Sequence, residues 1–461
     1  MAVSPGNDQL SDPPARIYDV IGLGFGPSNL ALLAAIREEA EETHGRALSA
    51  LCIERKKDFQ WHPGMLLEGA RIQLSFLKDL VTLRNPRSRF TFLNYLREKD
   101  RLDRFANLRN FFPTRLEFND YYRWVADQVD DDVRYGGEIV SILPQPAPDG
   151  GRIETVKVQV RDVDTGELEE YLTHNLVVAT GGVPKLPQAL QLDSCPRVLH
   201  SRDFLLRIPA ECAQRDAAYR FIVVGSGQSA AEIFEYLYKR YPNADVTATL
   251  RRFAFHPADE SHFVNEIFFP RMEGFLFDLP QEQRLAIIDD HRDTNYSAVD
   301  RELIQAIYED LYQFDLAGDD RVQVLPFLEL EAAEERGDDV RLTYRNLVRD
   351  TTEQLRADYV ILATGYERPK RHPLIEGLRP HLLVDEDGAY RVSRDYHVRA
   401  HEDFQPRIFL QGFSEHTHGL SDTLLSTLPM RSLQILQALR TEDGAMPVPE
   451  DLAVRAQGVG A

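Results

Sequence analysis

The chain predicts an α/β fold: two Rossmann-like dinucleotide-binding domains with a small, mostly helical inserted substrate domain. Three observations predict it. The apolar run Tyr18–Ile21 leads into Gly22, Gly24, Gly26 and Pro27, then a helix-like stretch and a second apolar run, Ala50–Ile53. In the same way Phe221–Val224 leads into Gly225, Gly227, Gln228 and Ser229, then a helix and the run Val246–Leu250. Between about 258 and 320 the strand signal stops and helical, aromatic segments take over, as an insertion would require.

Charge separates the two units. Glu54 ends the second run of the first unit, whereas Arg251 and Arg252 end that of the second. A carboxylate there accepts hydrogen bonds from a ribose diol, and an arginine suits a 2′-phosphate. Backbone N–H groups at each helix start can hold a pyrophosphate. A single glycine turn is weak evidence, since such turns cap many helices for steric reasons, and Pro27 stands where a third glycine or alanine is usual. Two turns in strand–turn–helix context are stronger. Ala179-Thr180-Gly181 and Ala363-Thr364-Gly365 add to them, each ending a β-run with small residues that let backbone approach a cofactor. Two dinucleotides, the second NADP-like, point to a flavin enzyme reduced by NADPH.

The remaining elements follow from periodicity. A helix is predicted over Ser28–Ala40, and another over 117–128 with Asn119 as its cap. Residues 133–178 read as a β-meander with a turn at 148–151. Ser297, with Asp300 three residues on, is expected to cap a helix striped by Ile304, Ile307 and Leu311. Strands are expected at 321–331, 339–344 and 358–364, and a last helix from Thr423 to Leu439. These elements place residues 1–197 and 369–461 in an FAD-binding domain and 198–258 with 322–368 in an NADPH-binding domain. Residues 259–321 form the insertion.

Composition sets bounds. At 461 residues the chain should divide into two or three domains. A net charge of −21 argues against nucleic acid or an anionic membrane as the main partner. Cys52, Cys195 and Cys212 lack CxxC spacing, which removes a thioredoxin-type dithiol and a cysteine zinc site. Cys52 reads as a small core residue. The histidines show no ligand spacing, so no metal is expected. The first sixteen residues read as a loose tail and no run is long enough to span a membrane, so a cytoplasmic protein is expected.

Longer motifs narrow the class. Asp358–Tyr366 resembles the corresponding segment of class B flavin monooxygenases. Pro196 departs from the Phe-x-Gly stretch that Baeyer–Villiger enzymes carry before the histidine at His200. Gly22–Leu30, Trp61–Met65, Gln73–Pro86, Phe263–Phe268 and His418–Ser426 resemble the microbial amine N-hydroxylases, most closely the L-ornithine N5-monooxygenases of siderophore assembly. The likeness runs from about Tyr18 to Leu436.

That resemblance implies FAD and NADPH as cofactors and L-ornithine with O2 as substrates. Oxygen would be carried on the flavin as a hydroperoxide, so no side chain need act as acid or nucleophile. It implies that Lys78, Asn265 and Asn295 bind substrate and that Trp61, His62, Gln73 and Ser426 lie along FAD with Gly22, Gly24, Gly26, Pro27 and Glu54. Gly225, Gly227, Gln228 and Ser229 would hold NADPH, and Arg251 matches the adenosine-phosphate arginine better than Arg252. From composition alone Lys78 could equally be a surface residue paired with Asp79, and Asn265 could merely satisfy backbone. His262, standing where proline is frequent, reads as an exposed loop residue. The resemblance also implies a homo-oligomer, dimer or tetramer. Two rivals stay open: an N-hydroxylase of L-lysine or an aliphatic diamine, and a non-catalytic nucleotide-binding flavoprotein.

Overall fold

The computed structural model describes residues 16–43, 46–147, 150–187, 190, 195–259, 261–294 and 296–441. Two five-stranded parallel sheets organise them. The first runs Arg407–Leu410, Asn175–Val178, Val20–Leu23, Ala50–Glu54, Val133–Tyr135. The second runs Val198–His200, Tyr359–Leu362, Arg220–Val224, Asp245–Thr249, Val322–Leu325. Their strands are near-continuous apolar runs because helices and loops cover both faces.

The chain leaves the first sheet after Val178, builds the second and returns at Arg407. Outgoing and returning segments meet in a short antiparallel pair, Val183–Pro184 against Tyr366–Glu367. Each sheet carries an antiparallel layer of three consecutive strands. Gly137–Pro146, Ile153–Asp162 and Leu168–Thr173 flank the first; Leu328–Arg336, Asp339–Asn346 and Thr351–Ala357 flank the second. Among the described residues no helix is long and apolar enough to cross a membrane.

Several expectations shift. The helix predicted over 117–128 spans Arg115–Ala126, and its cap is Thr114, whose hydroxyl accepts from the Glu117 N–H. Asn119 lies inside it, buried, where its Oδ1 accepts from the Trp61 N–H at 3.3 Å. Strand Thr351–Ala357 was hidden by a polar face that makes it look like a loop. The last helix begins at Leu428, not Thr423; Pro429 sits in its first turn, and two 3₁₀ turns fill 420–427.

The helix Arg301–Ala317 is the largest change. Its stripe of Ile304, Ile307 and Leu311 packs with Phe234, Tyr238 and Val322 in the core of the second sheet, so it is the crossover between two parallel strands there. Ser297 does not cap it; the cap position is Asp300. The helices Pro270–Asp278 and Gln281–Asp290 instead close on the tail segment through Ile288 with Ile267 and Leu420, and through a Tyr396 hydroxyl that donates to Glu273 at 2.8 Å.

A candidate active site between the two parallel sheets

The two glycine turns correspond through their hydrogen bonds. The Gly24 N–H donates to Ile53 O at 2.9 Å, and the Gly225 N–H to Thr249 O at 3.1 Å. Ala179 N–H meets Leu23 O at 3.0 Å, and Ala363 N–H meets Val224 O at 2.9 Å. Gly24 therefore corresponds to Gly225 and Gly26 to Gly227, with helices starting at Pro27 and Gln228. Gly22, expected in the first turn, is a strand residue two places earlier; a Cβ on it would lie 2.7 Å from both Asn29 Nδ2 and Cys52 Sγ.

The third-glycine place is thus held by Asn29, not Pro27. Asn29 is fully buried; its Nδ2 donates to Gly24 O at 2.7 Å and its Oδ1 accepts from Gln411 at 3.1 Å. Both turns need glycine, because φ is +81° at Gly24 and +144° at Gly225, and a Cβ on Gly225 would sit 2.4 Å from Ala363 O. A Cβ on Gly26 would meet nothing within 4 Å, so the space beside its Cα is open.

The charge comparison also moves by one residue. Ile53 matches Thr249, so Glu54 matches buried Leu250, and Arg251 lies one step beyond. Glu54 anchors its turn: Oε2 accepts from the Phe25 N–H at 2.8 Å and Oε1 from the Lys56 N–H at 2.9 Å. Arg251 is 68% exposed and 3.6 Å from Glu329. Arg252 turns away to Asp293 at 2.9 Å.

A cavity of 1520 Å³ lies between the sheets, lined among others by Gln73, Ser229, Arg251, Tyr296, Gly365 and Glu415. Gly225, Gly227 and Gln228 line it too. Its walls come from both dinucleotide units and from the helical segment, which is the geometry needed to bring two bound molecules together.

The chain matches the family model described as L-lysine 6-monooxygenase/L-ornithine 5-monooxygenase over residues 16–368. It is 43% identical over 436 residues to an L-ornithine N(5)-monooxygenase of Burkholderia cepacia, covering 94% of this chain and 96% of that one. This chain belongs to that family. Two solved structures are also similar. The ornithine hydroxylase PvdA of Pseudomonas aeruginosa matches with a TM-score of 0.85 and 38% identity over 92% of this chain and 99% of its own. An ornithine N-hydroxylase of Kutzneria, whose structure is named with reduced FAD, NADP⁺ and L-ornithine, matches with a TM-score of 0.86 and 37% identity over the same shares.

In this family member the remaining expected residues fall into two groups. Gln73 and Gln228 meet at one carboxylate, Asp300, and Ser229 follows in the first turn of the second unit's helix. Trp61, His62, Lys78, Asn265 and Ser426 lie outside the lining of the large cavity. The Trp61 ring meets Tyr122 edge-on at 5.3 Å, and His62 adopts φ 46°. His62 is an exposed residue, and desolvation by neighbouring protein atoms with the charges of Arg115, Lys56 and Arg368 lowers its pKa.

Lys78 ends a short 3₁₀ turn that packs against the turn carrying Ser426. It has no ion-pair partner among the described residues. Asp79 cannot serve, being buried and accepting from the N–H groups of Val81, Thr82 and Phe92 at 3.0, 2.7 and 2.7 Å. Asn265 is half-buried, its backbone N–H bonded to Ser261 O at 3.0 Å. His262 is exposed, and Asn295 lies outside the described residues.

Two polar atoms near the first unit fit a bound flavin nucleotide: Ser426 Oγ and Gln411 Oε1 are both buried without a hydrogen-bond partner among the described residues. Sequence reasoning missed Asn29, Gln411 and Asp300. Counting the fingerprint from the end of strand Val20–Leu23 would have found Asn29; the local capping pattern at Asp300 does not show its role between Gln73 and Gln228.

Proposed function

We propose that this chain is an NADPH- and O2-dependent monooxygenase that hydroxylates the side-chain amine of L-ornithine to N5-hydroxy-L-ornithine. The observation that carries the reading is the pair of equivalent glycine turns in a member of this family, one beside a carboxylate and the other beside an exposed arginine and opening onto the large cavity. Gly24, Gly26, the helix start at Pro27, Glu54, Trp61, His62, Gln73 and Ser426 would hold FAD. Gly225, Gly227, Gln228, Ser229 and Arg251 would hold NADPH. When bound, FAD reduced by NADPH supplies the activated oxygen.

The chain's own residues bind, orient and desolvate. Lys78, a cation without an ion-pair partner among the described residues, would pair with the substrate carboxylate in a charge-assisted contact. Asn265 and Asn295 orient the amino-acid head. The substrate amine must lose its proton before it attacks, and a lysine-like amine in water has a pKa of about 10.4. An apolar setting moves such a group toward neutrality. Exclusion of water protects the oxygen until the amine arrives.

The test is a purified, yellow protein assayed for hydroxylamine with ornithine, lysine and putrescine. Ornithine alone should give N-hydroxylated product in quantity. Product mainly from lysine or putrescine would reassign the substrate, and peroxide without product from any amine would refute the reading.

A further inference from the structure

Two glutamines, one assigned to each cofactor, close on the same carboxylate. Gln73 Nε2 donates to Asp300 Oδ1 at 2.6 Å, and Gln228 Nε2 donates to Asp300 Oδ2 at 3.0 Å. The Asp300 backbone N–H donates in return to Gln228 Oε1 at 2.8 Å, which fixes the amide so that its NH2 faces the carboxylate. Asp300 occupies the cap position of the helix Arg301–Ala317, yet its side chain makes no capping bond. An aspartate there ordinarily satisfies the helix's first N–H groups. This one reaches across the cleft instead.

The contact continues inward. Gln228 Nε2 also donates to Glu232 at 2.9 Å, and Arg115 grips both oxygens of Glu232 at 2.9 and 2.8 Å. Arg115 donates further to Met65 O at 2.8 Å, in the turn that follows Trp61 and His62. Arg115 and Glu232 are 14% and 7% exposed, so the pair is sheltered and geometrically demanding. Arg115, Met65 and Gln73 come from the first unit; Gln228, Glu232 and Asp300 come from the second.

We propose that Asp300 is a positioning residue that, with the Arg115–Glu232 pair, holds the nicotinamide-binding turn in register with the flavin side. This rests on the cofactor reading above. Loss of Asp300 frees the Gln228 turn from Gln73 without removing a group that grips either nucleotide. Hydride transfer from NADPH to FAD, which oxidises the first and reduces the second, is sensitive to such slippage. A misplacement of about 1 Å costs on the order of 100-fold in rate.

The experiment compares wild-type, D300N and D300A holoenzymes by anaerobic rapid-mixing with NADPH and with NADPH deuterated at the transferred position. The limiting rate of flavin bleaching should fall on the order of tenfold in D300N and further in D300A, while apparent NADPH affinity stays within about threefold. The deuterium isotope effect should rise, and hydrogen exchange of residues 225–240 should quicken in NADPH-free protein. Wild-type bleaching rates and isotope effects in the variants, even with a lowered melting temperature, would overturn the proposal and leave Asp300 merely structural. Should D300A fail to keep FAD, the isosteric D300N decides by the same measures. Wild-type flavin that NADPH does not bleach would instead sink the cofactor reading, and this inference with it.

Discussion

At Gly24 the chain turns on an N–H bond to Ile53 and at Gly225 on one to Thr249, and alanines 179 and 363 brace the two turns in the same way. Their surroundings differ. The first turn is locked by side chains: Asn29 of its own helix under it, Gln411 from far along the chain bonded to Asn29, and Glu54 beside it. The second has compact Ala230 in place of Asn29 and opens directly onto the large cavity. The backbone frame suits any pyrophosphate. On the proposed assignment Glu54 and Arg251, at or just past the strand ends, would choose the nucleotide, the locked turn suiting a resident cofactor and the open one a visitor.

The largest expected effect breaks the frame itself. Gly225→Ala would press a Cβ against Ala363 O, so NADPH-dependent flavin bleaching should fall by about 100-fold or more while the protein stays yellow. Gly24→Ala should do the reverse and yield colourless protein. If both variants lose FAD equally, the assignment of one nucleotide to each turn is wrong.

Next, Lys78→Ala should raise the ornithine KM by roughly 10- to 100-fold, the range expected for losing a charged hydrogen bond, with FAD content unchanged. An ornithine saturation curve like that of wild type would contradict its role. Arg251→Ala sharpens the difference between the turns. The ratio of NADPH to NADH efficiency should drop on the order of tenfold, because the guanidinium facing the cavity is lost. Equal losses with both nucleotides would refute a phosphate contact.

The smallest effect is acid lability on the flavin side. Burial lowers His372 and His418 to about 4 each. The folded state keeps these rings neutral while the unfolded chain protonates them below about 6.5. Stability is therefore full above that pH and declines as pH falls toward 4. Melting temperature and retained flavin absorbance, followed from pH 7 to 4.5, should fall together. Constant values across that range would show these histidines are not shielded as described.

Much of this was legible in the chain. Both sheets, both turns and the change of pattern after about 258 follow from apolar runs and glycines. The register did not follow, because Gly22, Gly24 and Gly26 form an evenly spaced series and only the hydrogen bond from Gly24 to Ile53 shows which pair makes the turn. The helix Arg301–Ala317 was read as part of the insertion since its stripe looks the same against any core. Asn119 and Ser297 carry capping chemistry but lie where tertiary contacts choose Thr114 and Asp300. The bridging role of Asp300 is invisible in sequence, its partners lying 227 and 72 residues away.

The most direct test is a single-turnover experiment on the holoenzyme, reduced anaerobically with one equivalent of NADPH and then mixed with oxygen and L-ornithine. One N5-hydroxyornithine per flavin should form as the yellow colour returns. Reoxidation that yields only hydrogen peroxide, with ornithine recovered intact, would contradict the central claim that the cleft delivers oxygen to a free amine.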